Sequence, residues 1–569
     1  MRIITIVMTD LPPFLLFYAA AIGAAILPHK ARGLIMLLVP IVGAFAVLQL
    51  PDGLSVQLTL MSITLEPLRV DQLSRLFGIL FHIGAFIGIV FSLHSKDRGQ
   101  HVAALLYAGS ALGAVFAGDL LTLFLFWEML ALTSVFLIFA RRTERAYGAG
   151  IRYLVIQVIS GVLLLAGALM IYHQSGSLSF GHIGLNGAAS VLIFIAFGIK
   201  CAFPLLHNWL TDAYPEATPT GTVFLSAFTT KVAVYALARS FAGTEILVYI
   251  GATMTCFPIF YAVIENDLRR VLAYSMINQI GFMVVGIGLG TALAMNGAIA
   301  HAFNDVIFKG LLMMSMGAVL HMTGRMNGSD LGGLYKSMPI TTTLCIVGAA
   351  SISAFPLFSG FVSKSMVMVA VLEEGHPVVW LMLLFASAGV FHHAGIKIPF
   401  FAFFAHDSGI RTTEPPLNML VAMGIAAILC VSIGVYPWVL YDLLPFEMEY
   451  SPFDGSHIIA QIQLLVFSAA AFAWLKVANI YPPELHSTNL DIEWLYRRLA
   501  PKWIRSIVET MKPAQESVSQ VRQKAGKGMM RWILNHYGPE GTLARAWPTG
   551  SMVLWVAVLL GASLILYYA

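Results

Sequence analysis

The chain has 569 residues, of which 58% are apolar and only 11% charged, against roughly 45–50% and about 25% in soluble domains. A mean hydropathy of +0.81 over 61.9 kDa leaves too few polar residues to clothe a soluble globule, which also excludes disorder and collagen-like repeats. The apolar runs are continuous and about 20 residues long, enough for a helix to cross the hydrocarbon core, whereas barrel strands alternate polar and apolar residues. The expected fold is therefore an all-α polytopic membrane protein.

In chain order, sixteen spans are expected, at about 11–27, 33–50, 73–94, 101–118, 119–140, 151–172, 188–210, 219–241, 245–264, 270–291, 292–322, 339–372, 376–406, 415–441, 456–479 and 548–568. A range of about 14–16 helices covers the ambiguous stretches, because 101–140 divides only at Gly118-Asp119 and 339–372 is long for one straight helix. Only Arg2 precedes the first run and no small-residue cleavage site is compelling, so that run reads as a retained span. Cys201, Cys256, Cys345 and Cys430 lie singly in apolar stretches without ligand spacing, which supports neither a disulfide nor a metal.

Loop charges test the span count. One alternate set of connections holds Lys30, Arg32, Lys96, Arg98, Arg141, Arg142, Arg145, Arg269, Arg270, Arg325, Lys336 and Arg411, and ends in the basic segment before the last span. The other holds little beyond Arg69 and Arg239 and includes the acidic Asp442, Glu447, Glu449 and Asp454. The positive-inside rule makes the first set cytoplasmic and places both termini outside. Residues 481–547 carry 10 Lys+Arg and 6 Asp+Glu, leaving 23 of each sign elsewhere. Apolar Trp494, Leu495, Leu499, Trp503, Ile504, Ile507 and Val508 alternate there with Arg497, Arg498, Lys502 and Arg505, as in a cationic amphipathic helix lying on a leaflet. Pro482, Pro483, Pro501, Pro513 and Pro539, with Gly526, Gly528, Gly538 and Gly541, predict two or more short helices rather than one rod.

Ionisable residues inside spans are costly in lipid and mark functional interiors. They are Glu128, Lys200, Lys231 and Lys364, together with His301, Asp305 and Lys309, which share one helix face with Asn304 at i, i+3, i+4 and i+8. A single such residue can simply pin helices together; a set spread over five spans, mostly lysines, points to a proton relay. Burial favours a neutral lysine that accepts a proton, and a nearby carboxylate restores its charge. Asp119, His82 and His207 lie near expected span ends and read as solvated or capping. Two spans are also interrupted, at Pro204 and Pro356, and the sequences echo one another: Cys201-Ala-Phe-Pro-Leu205 and Ser353-Ala-Phe-Pro-Leu357. Paired broken helices with a lysine beside each break point to an ion pathway in a repeat-built transporter.

Glu265-Asn-Asp-Leu-Arg-Arg-Val-Leu-Ala-Tyr-Ser-Met-Ile-Asn-Gln-Ile-Gly-Phe282 resembles the signature of the antiporter-like subunits shared by the membrane arm of respiratory complex I and Mrp-type cation/proton antiporters. Phe126-Trp127-Glu128, Pro204-Leu-Leu-His-Asn-Trp-Leu210 with Asp212, Phe308-Lys309-Gly-Leu-Leu312 and Ser359-Gly-Phe-Val-Ser-Lys364 extend the resemblance over about residues 60–440. It implies two inverted repeats, each containing a broken helix. The expected division is N-terminal helices over 1–100, repeats over 101–241 and 245–406, further helices over 415–479, a basic cytoplasmic segment over 480–547 and an anchor over 548–568. It also implies roles: Glu128 modulating its lysine partner, Lys200 as proton carrier, Lys231 as linker, Lys309 as the central residue and Lys364 at the opposite exit, with His301 and Asp305 as secondary members. Near Lys309 the complex I distal subunit has paired histidines, where Asn304 and Asp305 stand here. The run Thr230-Lys-Val-Ala-Val-Tyr-Ala236 is closer to the Mrp D-type subunit.

The expected function is thus a proton-translocating subunit of a multisubunit sodium/proton antiporter in a bacterial inner membrane. Its partners would be other membrane subunits, protons, sodium and lipid, with no nucleic acid. The alternatives are the equivalent subunit of a complex I-like or hydrogenase complex, and a membrane scaffold that energises an uptake partner. No haem, flavin, iron–sulfur or nucleotide motif is present, so the expectation is a transport subunit without cofactor or enzymatic residues.

Overall fold

The computed structural model describes residues 12–60, 63–486, 489, 491–542 and 548–568; Arg2 lies outside them. The chain divides after Asn489 into two compact units. The first opens with α1 (Pro13–Ile26) and α2 (His29–Gln49), then a hairpin of β1 (Ser55–Leu60) and β2 (Ile63–Arg69), antiparallel with Ser55 opposite Arg69. There follow α3 (Gln72–Ser92), α4 (Arg98–Phe116), α5 (Leu120–Phe139), α6 (Glu144–Ser175), α7 (Ala188–Lys200), α8 (Asn208–Ala213), α9 (Gly221–Ala227) and α10 (Thr229–Ser240). Next come α11 (Ile246–Ile264), α12 (Leu268–Leu289), α13 (Ala292–Thr323), α14 (Pro339–Ile352) and α15 (Ser359–Glu373). The unit closes with α16 (Pro377–Val390), α17 (Leu417–Val435), the short α18 (Trp438–Tyr441) and α19 (Gly455–Val477).

Among the described residues, thirteen helices are long and apolar enough to cross a membrane. Three shorter apolar helices, α1, α7 and α14, complete the expected set, the last two because each is half of a broken span. Helix starts follow the capping residues. Side chains of Asp71, Asp97, Asp119, Thr143, Asp267 and Asp454 accept from first-turn N–H groups, satisfying donors that would otherwise be orphaned in lipid.

The two repeats are visible in the backbone. Asp119 starts α5 and bridges to Ser179, beyond the 32-residue α6; Asp267 starts α12 and bridges to Asn327, beyond the 32-residue α13. In each repeat the next apolar helix then breaks at the echoed sequence. Ala202 and Leu205 have φ of 61° and 71°, Ala354 and Leu357 have 58° and 70°. Four non-glycine residues in left-handed conformation at matching positions are costly, about 1–3 kcal/mol each, and persist only where surrounding packing imposes them. Five crossings separate Asp119 from Asp267, so the second repeat starts on the opposite face and is inverted.

The connections gather by parity. On one face Arg142 pairs with Asp97 at 3.2 Å, Arg145 with Glu216 at 2.7 Å, and buried Arg269 donates to the carbonyls of Pro215 and Ala217 at 3.0 and 3.1 Å. On the other Arg69 donates to Gly118 O at 3.3 Å and Arg239 pairs with Asp71 at 2.8 Å.

The second unit departs from expectation. After a π-helical turn at Leu495–Leu499, one helix, α20 (Ala500–Tyr537), runs for 38 residues, followed by the apolar α21 (Thr549–Tyr568). The two or more short helices expected in 481–547 are replaced by one. Pro501 falls in the first turn of α20, where the π-turn hands over to the α-helix. Pro513 is the single interior proline, and Gly526 and Gly528 meet open space, costing only about 1 kcal/mol each.

Candidate functional site

The polar axis begins where α7 ends. Lys200, fully buried, donates from Nζ to Trp127 O at 2.9 Å and stands 4.9 Å from the Trp127 ring centroid. The indole is pinned in turn: Nε1 donates to Ser160 Oγ at 2.9 Å, and Ser160 donates to Ala196 O at 2.7 Å. Glu128 is the next residue on α5. A Cβ at Gly161 of α6 would overlap its carboxylate, so this glycine makes the space Glu128 occupies. Glu128 Oε1 is buried without a hydrogen-bond partner among the described residues, and the charges of Glu128 and Lys200 act on one another.

Lys231 lies just past the discontinuity between α9 and α10, at Phe228. Its Nζ donates to Ser226 O at 3.2 Å and pairs with Asp305 Oδ2 at 2.5 Å, both side chains fully buried. Lys231 belongs to the first repeat and Asp305 to α13 in the second, so this ion pair joins the repeats. One turn along α13, Lys309 Nζ donates to Ser275 Oγ at 2.8 Å, a residue of the 265–282 motif.

His301, on the same α13 face, places Nδ1 3.0 Å from Ser363 Oγ and Nε2 3.1 Å from Gln279 Oε1. Asn304 donates to Ser359 O at 2.8 Å. Lys364 on α15 donates at 3.4 Å to Ile352 O, the last carbonyl of the broken half-helix α14, and stands 4.9 Å from the Phe282 ring. The proline-generated break thus supplies the acceptor for the lysine beside it.

Of these residues, Lys231 and Asp305 meet directly across the repeats, while Lys200, Lys309, His301 and Lys364 each bond to non-ionisable neighbours. Glu128 Oε1, both polar atoms of the fully buried Gln157, Thr230 Oγ1 and Asn304 Oδ1 lack partners among the described residues. Buried polar atoms of this kind are commonly satisfied by internal water in proteins.

Two expectations need correction. His82 sits in the middle of α3, buried, with Nδ1 2.6 Å from Gly78 O; it is neither solvated nor capping, because the apolar run around it continues as one helix. His207 is buried in the break between α7 and α8. Asp119 does cap: it accepts from Leu121 and Thr122 N–H at 2.9 and 2.8 Å and from Glu66 N–H at 2.6 Å. Sequence reasoning passed over Lys397, fully buried and paired with Glu484 at 3.0 Å. Lys397 carried the same signal as the other lysines, a charge within an apolar run. Glu484 carried none.

Residues 117–391 match the family described as NADH:quinone oxidoreductase/Mrp antiporter, transmembrane. Over that stretch the chain is similar to this antiporter-like family. It is 31% identical over 434 residues to the A-type subunit of the Na(+)/H(+) antiporter of Alkalihalophilus pseudofirmus, covering 67% of this chain and 54% of that protein. It is 29% identical over 364 residues to the D-type subunit from the same organism, covering 58% of this chain and 74% of the relative. It thus spans little more than half the length of the A-type subunit. In fold it is similar to a chain of the membrane-bound sulfane sulfur reductase, an archaeal respiratory membrane complex, with a TM-score of 0.71 at 22% identity over 98% of this chain and 99% of that one.

Proposed function

We propose that this antiporter-like subunit relays protons within a multisubunit Mrp-type sodium/proton antiporter, acting as a transport subunit rather than an enzyme. The buried Lys231–Asp305 pair joining the repeats, with lysines on either side of it, carries this reading. A proton reaching Lys200 while Glu128 approaches it is held. When Glu128 withdraws, the charged Lys200 repels protons toward Lys231, whose bond to Asp305 loosens in turn. The signal passes to Lys309 and then by His301 and its partners to Lys364. Its partners are other membrane subunits of the assembly, and the basic-loop face is cytoplasmic, with both termini outside. The opposite gathering of basic and acidic connections supports that orientation.

The decisive experiment is Lys200→Ala in the assembled complex, with transport followed as pH-gradient formation in membrane vesicles. Loss of transport with the complex intact is expected; an undiminished gradient refutes the relay. A second reading, the equivalent subunit of a respiratory complex, is favoured by the fold likeness extending over 98% of the chain to the sulfane sulfur reductase. The composition of the gently solubilised complex separates the two, since redox subunits would be present only in the second.

A further inference from the structure

Residues 377–404 are one apolar helical stretch, but beyond α16 it is wound as π-turns at Phe391–Lys397 and Phe400–Phe404. Such turns concentrate at functional positions, where the extra residue re-aims side chains. Within the first, His393 is fully buried; one ring nitrogen faces the Gly389 carbonyl and the other has no hydrogen-bond partner among the described residues. Lys397, also fully buried, donates to Val263 O at 2.7 Å and Glu265 O at 2.6 Å, and pairs with Glu484 Oε1 at 3.0 Å.

Glu484 lies just beneath the basic-loop face, its side chain 6% exposed. The segment carrying it is held there by His486 Nε2 against Asp330 Oδ1 at 3.0 Å and by Asn489, which donates to Glu265 Oε2 at 3.1 Å. Burial lifts the Glu484 carboxyl above the usual carboxylate range, and the Lys397 ammonium opposes this only in part. The turn packs on the second break, where a Cβ at Gly395 would overlap Ser353 Oγ, and on α12, whose Ser275 accepts from Lys309. Pinning of the 481–486 segment accounts for a lysine facing three acceptors. It does not account for a fully buried imidazole with a free ring nitrogen in the same π-turn as that lysine.

We infer that Glu484, Lys397 and His393 form a second proton-access branch, running from the basic-loop face to Lys309; it deepens the relay reading and rests on it. A proton taken up by the Glu484 carboxylate moves to the Lys397 amine once Lys397 has passed its own proton to a His393 ring nitrogen. The imidazolium then donates, through water, to the Lys309 amine. One proton enters as one leaves, and no further reactant is required.

The test is transport per assembled complex in vesicles for His393→Gln, Lys397→Gln, Glu484→Gln and the pair Lys397→Gln with Glu484→Gln. The pair removes both buried charges, so assembly lost in either single variant should return. Transport should nevertheless stay about tenfold or more below the unaltered complex, as it should in His393→Gln. Full transport in the assembled pair, or in His393→Gln, overturns the branch. Lys309→Ala is measured in parallel: full transport there overturns the relay itself, whereas its loss alongside an active pair overturns the branch alone.

Discussion

Replacing Asp305 with asparagine tests the joint between the repeats. Two unit charges 2.5 Å apart, at an effective dielectric of about 20, attract by about 7 kcal/mol before desolvation is subtracted. Removing one partner leaves Lys231 charged and fully buried, for which about 3–5 kcal/mol is the usual loss. That is about two to nearly four powers of ten in the folded-to-unfolded ratio. Asp305→Asn should therefore sharply lower the yield of assembled complex and its resistance to thermal inactivation in detergent. Lys231→Met combined with Asp305→Leu removes both charges and keeps the volume filled, so yield should recover to near that of the parent. Transport should not recover, because no proton-carrying group then links the first repeat to the second. The assay is recovery of the complex by size exclusion, followed by pH-gradient formation normalised to complex. An Asp305→Asn complex as stable as the parent, or a transporting double variant, would refute the reasoning.

Glu128→Gln should depress transport per complex far more than Asp119→Ala, because Glu128 faces Lys200 whereas Asp119 caps α5; the latter should cost about 1 kcal/mol of stability and show as reduced yield, and equal transport losses would contradict the assignment. Truncation after Asn489 removes the second unit but keeps Glu484, so it should weaken recovery of partner subunits while transport per assembled complex persists. Truncation after Val477 would also remove Glu484 and should impair both. For Asp330, burial acts to raise the carboxyl, but hydrogen bonds from Asn327, His486 and Ser329 outweigh it and hold it below the usual range. Its hold on the 484–486 segment is complete above the ordinary carboxyl value of about 4 and is lost as pH falls through the lowered folded value. Amide exchange of 328–330, corrected for its intrinsic pH dependence, should rise there, and Asp330→Asn should abolish the rise.

Composition and run length determined the class, the span count and the alternation of faces, because a chain in lipid must satisfy its backbone within helices and leave its charges in loops. The echoed Ala-Phe-Pro-Leu runs located both breaks, since proline removes the same hydrogen bond wherever it falls. Isolated charges in apolar runs marked Glu128, Lys200, Lys231, Lys309 and Lys364, because burying each is costly unless it is used or paired. Tertiary structure alone decided who pairs with whom. Asp305 reaches Lys231 from the other repeat, and Glu484 reaches Lys397 from 87 residues further along the chain. The long α20 was also decided above the level of single residues, since prolines and glycines that each predict a break were outweighed by the helical turns around them. Spacing along a helix says which residues share a face, but not which helix that face will meet. That depends on how inverted repeats pack, which is a property of the assembled core rather than of any local run.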